Sequence, residues 1–311
     1  MAFIKAQRCK TKLRLAITAP SGGGKTHTAL LLANGLAEGC SIVVIDSERG
    51  KALLEAGKVN IPEFLHDNIY PPYSPDKYIS MILEGAKVCG PNGVLIVDSI
   101  SHEWAGEGGI LDLHGVAADK QSFDNSWAAW RTVTPKQNAF IDTLLGVNCH
   151  VIVTMRSKTE WDVQTNSKGK KEPVKIGLAP IQKKDIEYEF TTTISLNQKS
   201  HVADCIRDST GIFDGKVFVP TVETGRELLS WLNEGVERKQ TEYVPKAIKS
   251  KQILDRLIIE AESFSTSSDL EAWGAASKAA FEEMEEEDKE RVKTYCRNLL
   301  NKMIEDEGAG K

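Results

Sequence analysis

The sequence predicts an α/β fold: a mostly parallel sheet sandwiched between helices, followed by a small helical C-terminal region. Three observations predict it. Four runs, 13–18 (LRLAIT), 41–46 (SIVVID), 94–98 (VLIVD) and 150–154 (HVIVT), are almost continuously apolar, as strands buried on both faces must be. Helical patterns separate these runs, the alternation that builds parallel sheets. The first run passes through a glycine-rich turn directly into a helix.

The elements follow in order. A helix is expected over 26–38, stopping at Gly39, and a second opens at Ser74-Pro75 and runs to about Cys89 before Gly90. From Glu189 the texture changes to alternating strands, EFTTTISL and HVADCIR, expected as antiparallel or mixed strands that finish the sheet. The division expected is a core over 1–235, a linker over 236–245 and an acidic helical region over 246–311. In that last region Val292, Tyr295, Cys296, Leu299, Leu300 and Met303 form one helical stripe, and Ser268 with Glu271 is the expected capping box of an earlier helix.

Composition sets limits on function. The 311 residues amount to about two domains, and a net charge of -5 supplies no overall positive field for nucleic acid or an acidic membrane. Any polyanion must therefore bind locally. No run reaches the roughly 18 apolar residues of a membrane span, and MAFIKAQRCK lacks the apolar core of a secretion signal. The expected location is cytoplasmic. Six cysteines without a CxxC pair read as reduced, mostly packed thiols.

The turn after LRLAIT reads Ala19-Pro20-Ser21-Gly22-Gly23-Gly24-Lys25-Thr26, the Walker A pattern with Ala19 in place of its first glycine. Ser21, Gly22, Gly23 and Gly24 let backbone N–H groups curl around phosphates, Lys25 neutralises phosphate oxygens and the Thr26 hydroxyl ligates Mg²⁺. ATP and Mg²⁺ are thus the expected cofactors. VLIVD ends at Asp98, which reads as the Walker B carboxylate holding Mg²⁺ with Thr26, and SIVVID-Ser47-Glu48 offers Asp46 and Glu48 at a second strand tip.

That second placement carries a resemblance. AAA+ machines put the catalytic Glu directly after the Walker B Asp, where this chain has Ser99, whereas Ile45-Asp46-Ser47-Glu48 resembles the motif that RecA-like ATPases carry on the neighbouring strand. The chain resembles a RecA-like P-loop ATPase, of the compact type encoded among phage and prophage recombination genes. The resemblance implies Glu48 as the water-activating base beside Lys25 and Asp98. RecA has a γ-phosphate-sensing Gln after its fourth core strand; here Thr154-Met155-Arg156 stands there, and Thr154 or Arg156 takes that role, with a surface salt bridge as the other reading of Arg156. The resemblance implies that Arg207 lies near where RecA-like subunits project a basic residue into a neighbour's ATP site, with a local pair with Asp204 or Asp208 as the other reading.

The resemblance also implies that the segments after the third and fourth core strands bind DNA. The first, 102–126, carries Trp104 among Gly106, Gly108 and Gly109, with Trp127 and Trp130 following; these tryptophans read as core or as stacking platforms. The second, 157–184, is expected as a long loop. It holds seven lysines against three acids, and Lys158, Trp161, Lys168, Lys170, Lys171 and Lys175 are its candidate contacts to a phosphate backbone. Implied partners are single-stranded DNA and further copies of the chain in a ring or filament, acting in recombination or repair by annealing or strand exchange. A ring helicase or loader, and a regulatory ATPase acting on proteins, remain as alternatives. The C-terminal region carries -4 of the net charge, and its acid run over 282–288 reads as a solvated face or a protein-binding surface.

Overall fold

The computed structural model describes residues 5–119, 126–165, 171–237 and 246–309. The chain divides into two units, Met1–Glu242 and Tyr243–Lys311. In the first, the elements run β1 (Arg14–Ala19), α1 (Lys25–Ala37), β2 (Ile42–Asp46), β3 (Leu65–Asn68), α2 (Pro75–Cys89), β4 (Val94–Asp98), α3 (Ser101–Ala105), α4 (Ile110–Asp119), α5 (Ser126–Gly146), β5 (His150–Thr165), β6 (Lys171–Pro180), β7 (Thr192–Leu196), β8 (Ala203–Asp208), β9 (Val217–Phe218) and α6 (Val222–Leu232).

The sheet runs β3-β2-β4-β5-β1-β7-β8-β9. Strands β3 to β7 along this path pair in parallel, and β8 and β9 add antiparallel strands at one edge. Strand β5 lies between β1 and β4, so the glycine-rich turn and Asp98 are separated by one strand whose tip, 154–156, comes between them. The expected class, an α/β core built on a mostly parallel sheet and followed by a helical C-terminal region, is the one observed.

Local chemistry sets the element ends. Ser74 caps α2 by accepting from Lys77 N, with Pro75 in the first turn. Helix α1 stops where Glu38 and Gly39 turn to positive φ. It packs against α6 at Gly35 and Gly225, where a Cβ on Gly35 would lie 2.1 Å from Val222 O. The buried guanidinium of Arg14 ties β1 to the end of α5, donating to the carbonyls of Leu145, Val147 and Cys149.

Both segments, read from the sequence as long loops, contain regular elements among the described residues. Residues 102–126 contain α3, α4 and the start of α5, and the glycines between α3 and α4 serve close packing: a Cβ on Gly108 would lie 2.5 Å from Pro72 Cβ. Trp104 and His114 both stack on Trp130, while Trp127 is exposed. Residues 157–184 contain a long antiparallel hairpin in which β5 continues past the sheet and pairs with β6, from Ser157↔Pro180 to Thr165↔Lys171. Thr159, Trp161 and Val163, and then Val174, Ile176 and Leu178, fall at alternate positions, a two-residue period that already signals strands.

The second unit comprises α7 (Lys246–Glu262), α8 (Ser267–Ala276), α9 (Lys278–Glu282) and α10 (Glu286–Ala309) around Ile253, Leu254, Leu257, Met284 and Val292. The predicted stripe on α10 is buried at Val292 and half-buried at its other five positions. Thr266, not Ser268, caps α8: its hydroxyl accepts from Asp269 N, because the helix begins two residues earlier than the capping-box reading placed it. Ser250 accepts from Glu285 N and donates to Asp288, taking one carboxylate of the acid run out of a purely solvated role. Among the described residues no helix is long and apolar enough to cross a membrane.

Candidate active site

The site forms at the carboxyl ends of β1, β2, β4 and β5. Gly22 and Gly24 have φ of 78° and 80°, which lets the turn after β1 curl back on itself. Gly23 is required by crowding, since a Cβ there would lie 2.6 Å from Ala19 Cβ. Gly24 is the N-cap of α1 and no side chain caps that helix, so its first N–H groups face the turn as anion donors. Lys25 Nζ donates to the carbonyls of Ala19 and Pro20, both at 3.2 Å. Burial lowers its pKa, against the raising effect of Asp98 and Glu48.

Asp98 is buried between two hydroxyls: Thr26 Oγ1 donates to Oδ2 and Thr154 Oγ1 to Oδ1, each at 2.5 Å. Burial raises its pKa and these bonds oppose the rise. Thr26 and Asp98 form a hard-oxygen pair suited to Mg²⁺. Thr154, one of the two candidates for a phosphate sensor, donates its hydroxyl to Asp98. The Asp98-Ser99 peptide is cis, and Ser99 N and O both bond Ser47 Oγ, joining the tips of β4 and β2.

The two acids at the tip of β2 have separate roles. Asp46 is wholly buried and accepts from Glu48 N at 2.5 Å and Ala52 N at 3.0 Å, shaping the turn. Glu48 projects toward the phosphate turn with its side chain only 7% exposed, which excludes a plain surface acid. Its Oε1 accepts from Arg156 Nε at 2.6 Å; its Oε2 accepts from a second Arg156 nitrogen at 2.5 Å and from Lys51 Nζ at 2.9 Å. Burial pushes the Glu48 carboxyl up, but hydrogen bonds and charge from Arg156 and Lys51 outweigh it and hold the pKa at about 2. Arg156 is therefore held by Glu48, a partner whose side chain is nearly buried.

Ser21, Gly22, Gly24, Lys25, Thr26, Glu48, Asp98 and Arg156 line one cavity of about 380 Å³, with His27, Lys51, Leu54 and Glu55 completing the wall. Arg207 does not line it; its guanidinium lies 5.8 Å from the Tyr188 ring centre, and among the described residues it makes no ion pair with Asp204 or Asp208. Sequence reasoning missed Lys51, which sits three residues beyond Glu48 at a spacing that signals a pair, and Gln198, whose side chain donates to Ser21 O at 2.7 Å. Of the candidate DNA contacts, Lys158 is exposed, Trp161 and Lys175 are register partners on the hairpin, and Lys171 begins β6. Lys168 and Lys170 lie outside the described residues.

The chain matches the model of a family described as an AAA domain over residues 11–228. Among solved structures it is similar to the RadB recombinase, at 19% identity and a TM-score of 0.37 over 63% of this chain and 81% of that one. It is also similar to the flagellar accessory protein FlaH from Methanocaldococcus jannaschii, at 12% identity and a TM-score of 0.35 over 64% and 80%. No curated protein matches it.

Proposed function

The chain belongs to the AAA-domain family, and from that premise we propose that it is a RecA-like P-loop ATPase that couples Mg-ATP hydrolysis to handling of single-stranded DNA in recombination or repair of the phage type. Lys25 and the N–H groups at the start of α1 face the phosphates, and Glu48 orients and deprotonates the attacking water. Thr26 and Asp98 would hold Mg²⁺, which when bound neutralises charge on the phosphate oxygens.

The observation that carries the DNA reading is the β5–β6 hairpin. It grows from the strand whose tip reaches the ATP cavity, and the segment 157–184 bears seven lysines in a chain that is acidic overall. A basic arm of this kind suits an electrostatic contact that is indifferent to sequence. Ring or filament assembly belongs to the same proposal, with Arg207 serving a neighbouring subunit's site, and the acidic C-terminal region is its surface for a protein partner.

The test is fluorescence anisotropy of labelled single strands across a salt series with ATP present, for wild type and a variant with Lys168, Lys170 and Lys171 replaced together. Weaker binding to all sequences alike, a flatter salt slope and intact basal turnover are expected. Unchanged affinity removes the hairpin from the DNA site and favours an ATPase directed at proteins.

A further inference from the structure

Glu48 presents a difficulty for hydrolysis. A general base must offer a carboxylate oxygen to water, yet three donors from two cations already engage this carboxylate. The bidentate partner is 108 residues away in sequence, and it holds both oxygens at once. A carboxylate so held is charged but a poor proton acceptor.

We infer that Arg156 is a positioning residue that withholds Glu48 from the attacking water, so that turnover requires the Arg156–Glu48 pair to open. This rests on the reading of Glu48 as the base. Lys51 does not serve the same purpose, because it sits three residues from Glu48 in the same turn, reaches one oxygen and is 57% exposed.

The place of Arg156 in the fold supplies the means of opening. Its Cα pairs with Ala19, the last residue of β1, and the next residue, Ser157, already pairs with Pro180 of the hairpin. Arg156 therefore stands where β5 leaves the sheet and enters the arm. Its backbone is bonded on both sides: its N–H donates to Ser101 Oγ at 2.9 Å and its carbonyl accepts from Ile181 N at 2.7 Å. The next residue, Gln182, donates to Ile100 O at 3.0 Å and to Glu103 Oε2 at 3.1 Å. Both roots of the hairpin are thus tied to the segment that follows Asp98. A displacement of the arm reaches the Arg156 backbone before any other residue of the cavity, and a side chain gripping Glu48 by two parallel bonds tolerates little of it.

The test is steady-state ATP turnover by the full chain as wild type, Arg156→Ala, Arg156→Lys and Glu48→Gln, over an acid-to-neutral pH series, with and without a single-stranded oligonucleotide. Arg156→Ala is expected to raise kcat without oligonucleotide by about fivefold or more, the low end of ordinary coupling between sites, with KM for ATP unchanged. Its acidic limb should move to higher pH, because burial raises the carboxyl pKa once the guanidinium no longer opposes it. Arg156→Lys, which cannot make the bidentate contact, should fall between the two. Any stimulation by oligonucleotide seen in wild type should shrink in Arg156→Ala. A lower kcat with a higher KM in Arg156→Ala overturns the inference and assigns the guanidinium to the phosphates. Unchanged kcat with an unmoved limb overturns it as well. Wild-type turnover by Glu48→Gln is a separate failure, that of the base assignment itself.

Discussion

At the carboxyl ends of the strands Lys25, Glu48, Asp98 and Arg156 converge on a cavity of about 380 Å³, whereas the amino ends open onto a larger one of about 600 Å³ lined by Lys10, Lys12, Asn92 and His150 among others. Both ends bury ionisable groups, and they use them differently. At the amino end, Arg14 spends its donors on backbone carbonyls, and His150 Nδ1 accepts from Leu13 N at 3.1 Å. Burial, with Lys12 and Arg14 nearby, pushes His150 down to about 3, so it is neutral and serves the backbone. At the carboxyl end the side chains face one another through contacts that a ligand is able to exchange, beside helix N–H groups that have no side-chain cap. Cavity size therefore does not locate the chemistry; convergent, exchangeable charge does.

The comparison breaks first if the carboxyl end is inert. Glu48→Gln should lower kcat by about 10²–10⁴-fold while nucleotide still binds, measured by turnover against equilibrium binding. Wild-type rates would remove the assignment. At the amino end the expected loss is in stability: Arg14→Ala strips charged donors from four carbonyls and should cost about 3 kcal/mol or more in urea unfolding, with turnover per folded molecule retained. A fall in kcat with unchanged stability would merge the two ends.

A smaller effect sharpens the contrast through pH. His150 titrates at about 6.5 when unfolded and about 3 in the fold. The unfolded chain takes up this proton first, so the contribution is complete above about 6.5 and is lost as pH falls toward 3. One pH unit below the unfolded value the loss is about 1.4 kcal/mol. In His150→Asn, whose Oδ1 can replace Nδ1 as acceptor for Leu13 N, the decline of the urea midpoint over that window should flatten. An unchanged slope would show that His150 is not held neutral. Smallest is Ser74→Ala, which removes the α2 cap at the carboxyl end without touching a charged group; about 1 kcal/mol of stability should go and kcat should stay.

Much of the molecule was legible before folding. Residues 13–18, 41–46 and 94–98 read as strands because both their faces are buried, leaving an unbroken apolar signal, and Ser74-Pro75 marked a helix start because capping is a local bond. The four-residue strand β3 (LHDN) was missed because its side chains alternate between exposed and half-buried, which leaves no apolar run. The hairpin was missed because the seven lysines of its segment signalled a phosphate-binding loop and outweighed the alternation of its apolar residues, and the close packing of Gly106 on Tyr73 and of Gly108 on Pro72 arises only in the fold.

The residues alone determined that a lysine and a threonine follow a phosphate-binding turn and that acids end two strands, since each depends on neighbours within a few positions. They could not tell which acid at the tip of β2 is structural. That followed from folding, which drew the Asp46 carboxylate onto the backbone N–H groups of Glu48 and Ala52 and left Glu48 facing the cavity. Nor could they show Thr154 spent on Asp98, 56 positions away, or Arg156 gripping Glu48 across 108. Contacts of that span arise only when the order of strands in the sheet brings distant tips together, and spacing along a chain carries no record of that order.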